Sequence, residues 1–164
     1  QDGVTFHFLH PGRGDTGAVH QPNNSSCVLR VSNGFETLLL TGDIEASVEE
    51  NLVAALPGRL EANWLLAPHH GSNTSSGAAF LDTVDPDCLL ISAGAYNRFN
   101  HPHPDVISRA QSRDICWFHT AGAGALQRLL PAGDKLLMTE TQKHTAWQGY
   151  RQQNPRFWRA PPLP

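Results

Sequence analysis

Three short segments of the chain carry side chains that can bind a metal ion or a phosphate group. Asp43 lies in LLLTGDIE, His69 and His70 lie in LLAPHHGS, and a third polar segment, residues 97–103, lies in ISAGAYNRFNHPHP. A carboxylate binds hard or borderline cations and can bridge two of them, and imidazole nitrogen suits zinc or manganese. These residue types indicate metal-assisted hydrolysis, provided that the fold brings the segments together.

The first two segments also have simpler structural interpretations. Asp43 could act only as the N-cap of a helix that starts at Ile44, and taken alone this interpretation is favoured. Adjacent histidines seldom point in the same direction. We therefore expect one of His69 and His70 to be a ligand and the other to support it or to face the substrate.

The third segment combines cationic and imidazole groups. Arg98 could bind a phosphate oxygen, and a histidine could donate a proton to a leaving alkoxide; otherwise the segment is a proline-stiffened loop in contact with water. The run from His101 to Asp105 (HPHPD) imitates the HxHxDH motif of dinuclear metallohydrolases. Because Val106 occupies the final histidine position and the run lies downstream of the other segments, we do not assign it as the primary metal motif.

Each of the three segments follows an apolar run of strand length. Ligands of α/β sheets bind beyond the carboxyl ends of the strands, so these loops are expected to converge. Alternating strands and helices, followed by strands in succession, indicate an α/β layered fold. Strands are predicted at residues 4–9, 27–31, 35–41, 64–67, 88–92, 115–119, 124–130 and 135–139, and helices at residues 44–56, 77–84 and 104–112.

The composition is that of one domain with a hydrophobic core. The chain has 164 residues, of which 40% are hydrophobic, and no apolar run approaches the roughly 20 residues that span a bilayer. Its first residues lack the layout of a signal peptide. Cys27, Cys88 and Cys116 lie in apolar runs without CxxC spacing, so buried free thiols are favoured over a disulfide or a zinc knuckle.

Charge is distributed unevenly along the chain. The net charge of −3 argues against a broad basic surface for nucleic acid. All 15 acidic residues lie within residues 1–140, which carry a net charge of −7, whereas residues 141–164 carry +4. We therefore divide the chain into a domain at 1–140 and a basic, aromatic, proline-containing tail at 141–164. Its aromatic residues could stack on bases or lie on lipid, although docking onto the domain is the favoured interpretation.

The order of the motifs resembles one protein family. NNSSCVLR, LLLTGDIE, PHHGSNTSS, ISAG, NRFNHPHP and FHTAGAGAL resemble, in this order, the C-terminal half of the metallo-β-lactamase-like domain of the ComEC family. Members of that family are membrane channel proteins of natural transformation. The resemblance covers residues 4–130. It implies the C-terminal part of a four-layer αββα sandwich, within a soluble domain of a bacterial inner-membrane protein, on the periplasmic face.

The resemblance also implies roles for individual residues. Asp43 resembles a metal-bridging carboxylate and His69 a ligand of the second metal, with manganese or zinc as the divalent ion and one or two ions in the complete domain. His70 and His101 are the implied catalytic residues. The implied substrate-binding residues are Ser72, Asn97, Arg98 and His103.

Two departures from the family pattern affect this expectation. The HxHxDH-type motif, which precedes TGD in the family and supplies most ligands, does not occur in these 164 residues. Thr120-Ala121 stands where the family commonly has Thr-Asp. Since three protein ligands and a water are usual for a catalytic ion, we expect the chain by itself to be weakly active or inactive.

The implied function is hydrolysis of phosphodiesters during DNA uptake, with degradation of the strand that is not imported. The expected partners are single-stranded DNA and the membrane channel portion of the parent protein, and the chain could self-associate through an uncovered sheet edge. One alternative is a non-catalytic domain that guides single-stranded DNA to the channel with Arg98 and the tail. Another is a related phosphodiesterase that acts on small molecules.

Overall fold

A six-stranded mixed sheet forms the centre of the molecule. The computed structural model describes residues 3–12, 21–127 and 148–149. The strands follow one another across the sheet in chain order; the first three are antiparallel, and the third to the sixth are parallel. They are β1 (Thr5–His10), β2 (Val28–Ser32), β3 (Thr37–Leu40), β4 (Trp64–Leu66), β5 (Cys88–Ile91) and β6 (Cys116–His119), and a separate two-stranded sheet consists of β7 (Leu126–Gln127) and β8 (Gln148–Gly149).

Helices connect the parallel strands, and a last short helix follows β6. They are α1 (Ala46–Ala55), α2 (Pro57–Leu60), α3 (Ala78–Val84), α4 (Pro104–Gln111) and α5 (Thr120–Ala123), with 3₁₀ turns at Pro22–Ser25 and Pro68–Gly71. Parallel neighbours need such crossovers, whereas β1, β2 and β3 can follow one another as an antiparallel meander. In the part of the chain that the structure describes, no helix is long and apolar enough to cross a bilayer.

The two faces of the sheet carry different apolar clusters, because side chains alternate along a strand. On one face, Leu39, Leu65 and Leu89 are fully buried and belong to the same cluster as Phe80 and Leu81 of α3. Leu90, on the opposite face, belongs to a smaller cluster that includes partly buried residues. The six-stranded sheet therefore has a helical layer on one face, as in one αβ half of the expected αββα sandwich.

Most of the predicted elements are confirmed. Six predicted strands agree with β1 to β6 within two residues, and the predicted helices correspond to α1, α3 and α4. Within the described residues, the predicted strand 124–130 is confined to β7. The strand predicted at 135–139 and nearly all of the tail at 141–164 lie outside the described residues.

The interpretation of Asp43 as an N-cap is wrong. Helix α1 begins at Ala46, and the residue before it is Glu45. The backbone N–H of Asp43 donates a hydrogen bond of 3.0 Å to the Ser26 hydroxyl. Asp43 therefore belongs to the turn between β3 and α1, where its carboxylate is available for other contacts.

The preference for free, buried thiols is also wrong. Cys88 on β5 and Cys116 on β6 are register partners, with their Cα atoms 4.5 Å apart, and they form a disulfide. Cys27 is free but exposed. The two paired cysteines are 28 residues apart in the chain, so only the parallel register brings them together.

The disulfide predicts a defined number of reactive thiols. The denatured, unreduced chain should react with one equivalent of maleimide, at Cys27, and the reduced chain with three. Mass spectrometry of the alkylated protein measures both numbers. Three equivalents without reductant, in protein prepared under oxidising conditions, would show that Cys88 and Cys116 are thiols.

Candidate phosphodiester and metal site

The three polar segments meet at the carboxyl edge of the parallel strands. Asp43 follows β3, His69 and His70 follow β4, and the loop with His101 follows β5. The His70 Nε2 atom lies 3.4 Å from Asp43 Oδ1, and the rings of His69 and His101 lie 5.8 Å apart. The convergence expected from the strand order is therefore present.

His69 and His70 are directed to different carboxylates. His70 Nε2 faces Asp43, and His69 Nδ1 lies 3.3 Å from Glu45 Oε1. His69 and His70 have positive φ angles of 48° and 57°, which residues other than glycine seldom adopt. This local conformation explains how two adjacent imidazoles can both face the β3–α1 turn.

The protonation of His70 follows from its second contact. Its Nδ1 lies 2.7 Å from the carbonyl oxygen of Ser92, which can only accept a hydrogen bond, so Nδ1 carries a proton. In the neutral imidazole, Nε2 then presents a lone pair to the Asp43 carboxylate. A proton or a metal cation between these two atoms would convert the contact into an attractive one.

Glu45 is a site residue that the sequence analysis did not identify. Its carboxylate accepts a hydrogen bond of 3.1 Å from the Asn23 amide, and its backbone N–H donates one of 2.8 Å to Asn24 Oδ1. Asn24 is buried. The asparagines belong to the NNSSCVLR motif, which the resemblance singled out without a role. Their function here is to fix the β3–α1 turn that carries Asp43 and Glu45.

The amide of Asn97 holds the loop that carries His101. Its Oδ1 accepts a hydrogen bond of 2.9 Å from the His101 N–H, and its Nδ2 donates one of 2.7 Å to the His101 carbonyl. The guanidinium of the next residue, Arg98, lies 4.6 Å from the centre of the Phe99 ring. Asn97 thus organises the loop, while Arg98 is held at the surface beside the site.

His101 is the most enclosed imidazole of this loop. Its Nδ1 atom is buried and makes no hydrogen bond. Burial, and secondarily the neighbouring His69, lower the pKa of His101 below its usual value. The His101 ring as a whole lies beside His69 and lines a small cavity together with His70, so it borders the space between the β4 and β5 loops.

Ser72 and His103 are engaged in local structure. The Ser72 hydroxyl is buried and forms a hydrogen bond of 3.1 Å with Thr74 Oγ1. His103 is the N-cap of α4, and its Nδ1 accepts a hydrogen bond of 3.2 Å from the Asp105 N–H. Their predicted substrate-binding roles remain predictions.

Comparisons with known proteins agree with this architecture. A model of the metallo-beta-lactamase superfamily matches residues 6–95. The chain belongs to the metallo-beta-lactamase superfamily.

Three relatives place the chain near the ComEC family within that superfamily. It is 38% identical over 154 residues to Competence protein ComA of Neisseria gonorrhoeae, a match that covers 94% of this chain and 21% of the relative. It is 36% identical to ComE operon protein 3 of Bacillus subtilis, over 76% of this chain and 16% of the relative. It is 35% identical to Recombination protein 2 of Haemophilus influenzae, over 76% of this chain and 15% of the relative. The resemblance is confirmed, and the chain spans about a fifth or less of each relative's length.

The superfamily usually binds divalent metals, and the donor atoms at this edge have the right chemistry for such ions. Asp43 and Glu45 supply carboxylates, and His69, His70 and His101 supply imidazoles. Among the described residues, however, no three side chains of His, Cys, Asp or Glu are arranged to hold an ion. The described residues form two carboxylate–imidazole pairs, Asp43 with His70 and Glu45 with His69.

Gly71 lets the loop after β4 and the loop after β5 approach each other closely. It has a φ of +81°, and a Cβ at this position would lie 2.9 Å from the Cβ of Pro102. Its carbonyl accepts a hydrogen bond of 2.8 Å from the His103 N–H. Any side chain at residue 71 would therefore strain the backbone and push the His101 loop away from His69 and His70.

We expect Gly71→Ala to lower the free energy of unfolding by about 1–3 kcal/mol, since it combines an unfavourable φ with overpacking. Urea denaturation measures the change. Gly58→Ala is the matched control, because a Cβ at Gly58 meets nothing within 4 Å. Equal effects of the two substitutions would show that the contact between Gly71 and Pro102 is unimportant.

Proposed function

We propose that this chain is part of a metal-dependent phosphodiesterase domain that acts on single-stranded DNA during DNA uptake. The observation that carries the proposal is the convergence of Asp43, His69, His70 and His101 at one edge of the sheet. The names of two relatives, a competence protein and a ComE operon protein, support the cellular role. The strand that is not imported is the proposed substrate.

The proposed metal-binding roles come from the family resemblance. Asp43 and His69 would hold a manganese or zinc ion together with ligands from outside the described residues, and His70, which faces Asp43, would lie beside these ligands. His101 would contact the reacting phosphodiester. A bound divalent ion would lower the pKa of a bound water and neutralise phosphate oxygens, while His101 would help to hold the substrate in place.

The proposed location is the periplasmic face of the inner membrane, next to the channel portion of the parent protein. The disulfide between Cys88 and Cys116 supports an oxidising compartment, since disulfides persist in the bacterial periplasm and are rare in the cytosol. Labelling of Cys27 in intact cells with a membrane-impermeant maleimide tests the location. Labelling only after lysis would contradict it.

The test of the function follows end-labelled single-stranded DNA incubated with the parent domain, extended to include the segment that precedes TGD in the family. Manganese should produce cleavage, and a chelator should abolish it. A small chromogenic phosphodiester is included as a second substrate. Cleavage of the small diester with no cleavage of DNA would favour a phosphodiesterase of small molecules.

One observation favours the guiding function as a second candidate. The exposed guanidinium of Arg98 is held over the Phe99 ring beside the site, where a domain that binds DNA without cutting it could use it to contact a phosphate. Such a domain should lose DNA affinity when Arg156, Trp158 and Arg159 are replaced, and it should not need Asp43. Intact DNA affinity with no cleavage by the extended domain would favour this function over hydrolysis.

A further inference from the structure

A cavity lies next to the proposed phosphodiester site. It has a volume of about 720 Å³ and lies between the loop after β5 and the segment formed by the end of β6 and α5. Its walls include Tyr96, His101, Trp117 and His119. We refer to this cavity as the aromatic cleft.

The surface of the aromatic cleft suits a flat, uncharged ring. Tyr96 is 71% exposed and Trp117 is 40% exposed, although large apolar side chains are normally covered. Gly94 and Gly122 also line the cleft, and a Cβ at either position would meet nothing within 4 Å. The aromatic walls therefore enclose open space rather than a packed core.

The charge of the aromatic cleft favours a ligand that is attached to phosphate. None of its lining residues is an aspartate or a glutamate. The Arg98 guanidinium is held over Phe99, within the same loop. An acidic polymer could therefore pass along this loop without meeting a carboxylate in the cleft.

The aromatic cleft and the proposed site have His101 in common. This residue lines the aromatic cleft and also a smaller cavity that includes His70 and Ser92. A phosphodiester beside His70 and His101 would thus have its neighbouring base at the mouth of the aromatic cleft.

We propose that the aromatic cleft binds a nucleobase of single-stranded DNA, next to the phosphodiester at His70 and His101. This inference rests on the proposed action on single-stranded DNA and adds the subsite that distinguishes a polynucleotide from a small diester. Stacking on Tyr96 and Trp117 requires an unpaired base, because both faces of a base are covered in a duplex. The subsite therefore selects single strands without reading their sequence.

The test separates bases from phosphates. Fluorescence anisotropy compares a labelled ten-nucleotide thymidylate strand with an abasic strand of equal length and charge, both in chelator so that neither is cleaved. The full chain should bind the thymidylate strand at least about fivefold more tightly, given the usual contribution of one stacked base. Equal affinity for both strands would overturn the proposal.

Three variants assign the preference to the aromatic cleft rather than to the aromatic tail. Tyr96→Ala and Trp117→Ala remove the stacking surfaces, and Gly122→Leu fills the open space without a backbone penalty. Each should abolish the preference for bases, while affinity for the abasic strand stays the same. The matched controls are Phe35→Ala, an exposed aromatic outside the cleft, and Gly58→Leu. A preference that survives in all three cleft variants would overturn the proposal.

Cleavage assays distinguish failure of the subsite from failure of the proposed function. If the extended domain cleaves both DNA and the small diester, but the cleft variants slow neither reaction and keep the preference for bases, the subsite is wrong and the hydrolytic function stands. If the preference depends on the cleft while no diester is cleaved, the subsite stands and the domain guides DNA.

Discussion

Asp43→Asn should reduce DNA cleavage by the extended domain about 100-fold or more, because a bound metal ion contributes several kcal/mol to transition-state stabilisation and tenfold corresponds to about 1.4 kcal/mol. The amide has nearly the same shape but lacks the charge that attracts a cation. The Asp43 side chain is 42% exposed, and its contact with His70 is 3.4 Å long. The free energy of unfolding should therefore change by only about 0.5 kcal/mol, as for most surface substitutions.

Asp85→Asn provides the matched control for this substitution. It makes the same chemical change at an exposed residue that follows α3, at the opposite end of the strands, and asparagine tolerates the φ of 45° found there. Single-turnover cleavage and urea denaturation are measured for both variants. Equal losses of cleavage in the two variants, or full activity of Asp43→Asn, would remove Asp43 from the site.

The sequence predicted the part of the site that depends on strand order. Apolar runs of strand length located β3, β4 and β5, and polar residues directly after them located Asp43, His69 and His101. No knowledge of side-chain contacts was needed, because parallel strands place their carboxyl ends at one edge of the sheet. The pattern of apolar residues therefore determined both the sheet and the region of the site.

The residues that were missed depend on contacts between distant segments. Glu45 looks like an ordinary first-turn acid until the structure places it beside His69 and Asn23. The pairing of Cys88 with Cys116 follows from the register of β5 and β6. The apolar patterns locate each strand and turn but do not say which residues of distant segments face each other, so neither contact could be derived from this sequence alone.

The loop after His70 is held by a buried carboxylate, and removal of this carboxylate should be strongly destabilising. Glu49 is only 2% exposed, and it accepts hydrogen bonds from the backbone N–H groups of Ser76, at 2.6 Å, and Gly77, at 2.8 Å. Arg109 binds the same segment through the Ser76 carbonyl, at 2.9 Å. These contacts join α1 and α4 to the start of α3.

Glu49→Ala should lower the free energy of unfolding by roughly 2–4 kcal/mol, since it leaves two N–H groups without acceptors and at least one of them is buried. Urea denaturation measures the loss. Glu50→Ala, at the exposed neighbouring position on the same helix, should change the free energy by only about 0.5 kcal/mol or less. A loss at Glu49 no larger than that at Glu50 would show that the two hydrogen bonds are dispensable.

The same carboxylate predicts a pH dependence of stability. Burial raises the pKa of Glu49 above its usual value of 4.5, despite the opposing hydrogen bonds from Gly77 and Ser76. A raised pKa in the folded state means that the unfolded chain releases this proton at lower pH. The part of the stability that comes from this difference in pKa is therefore fully present below the usual pKa and is lost as the pH rises through the raised value.

Glu49→Gln isolates this contribution, because glutamine does not titrate and all other groups are shared. Measured at a series of pH values from about 4 upward, the stability of the wild type relative to Glu49→Gln should fall and then level off once the folded-state carboxyl is ionised. A difference that grows with pH would mean that the hydrogen bonds from Ser76 and Gly77 outweigh burial, so that the pKa of Glu49 is lowered. The sign of this slope thus decides whether desolvation or hydrogen bonding dominates the pKa of Glu49.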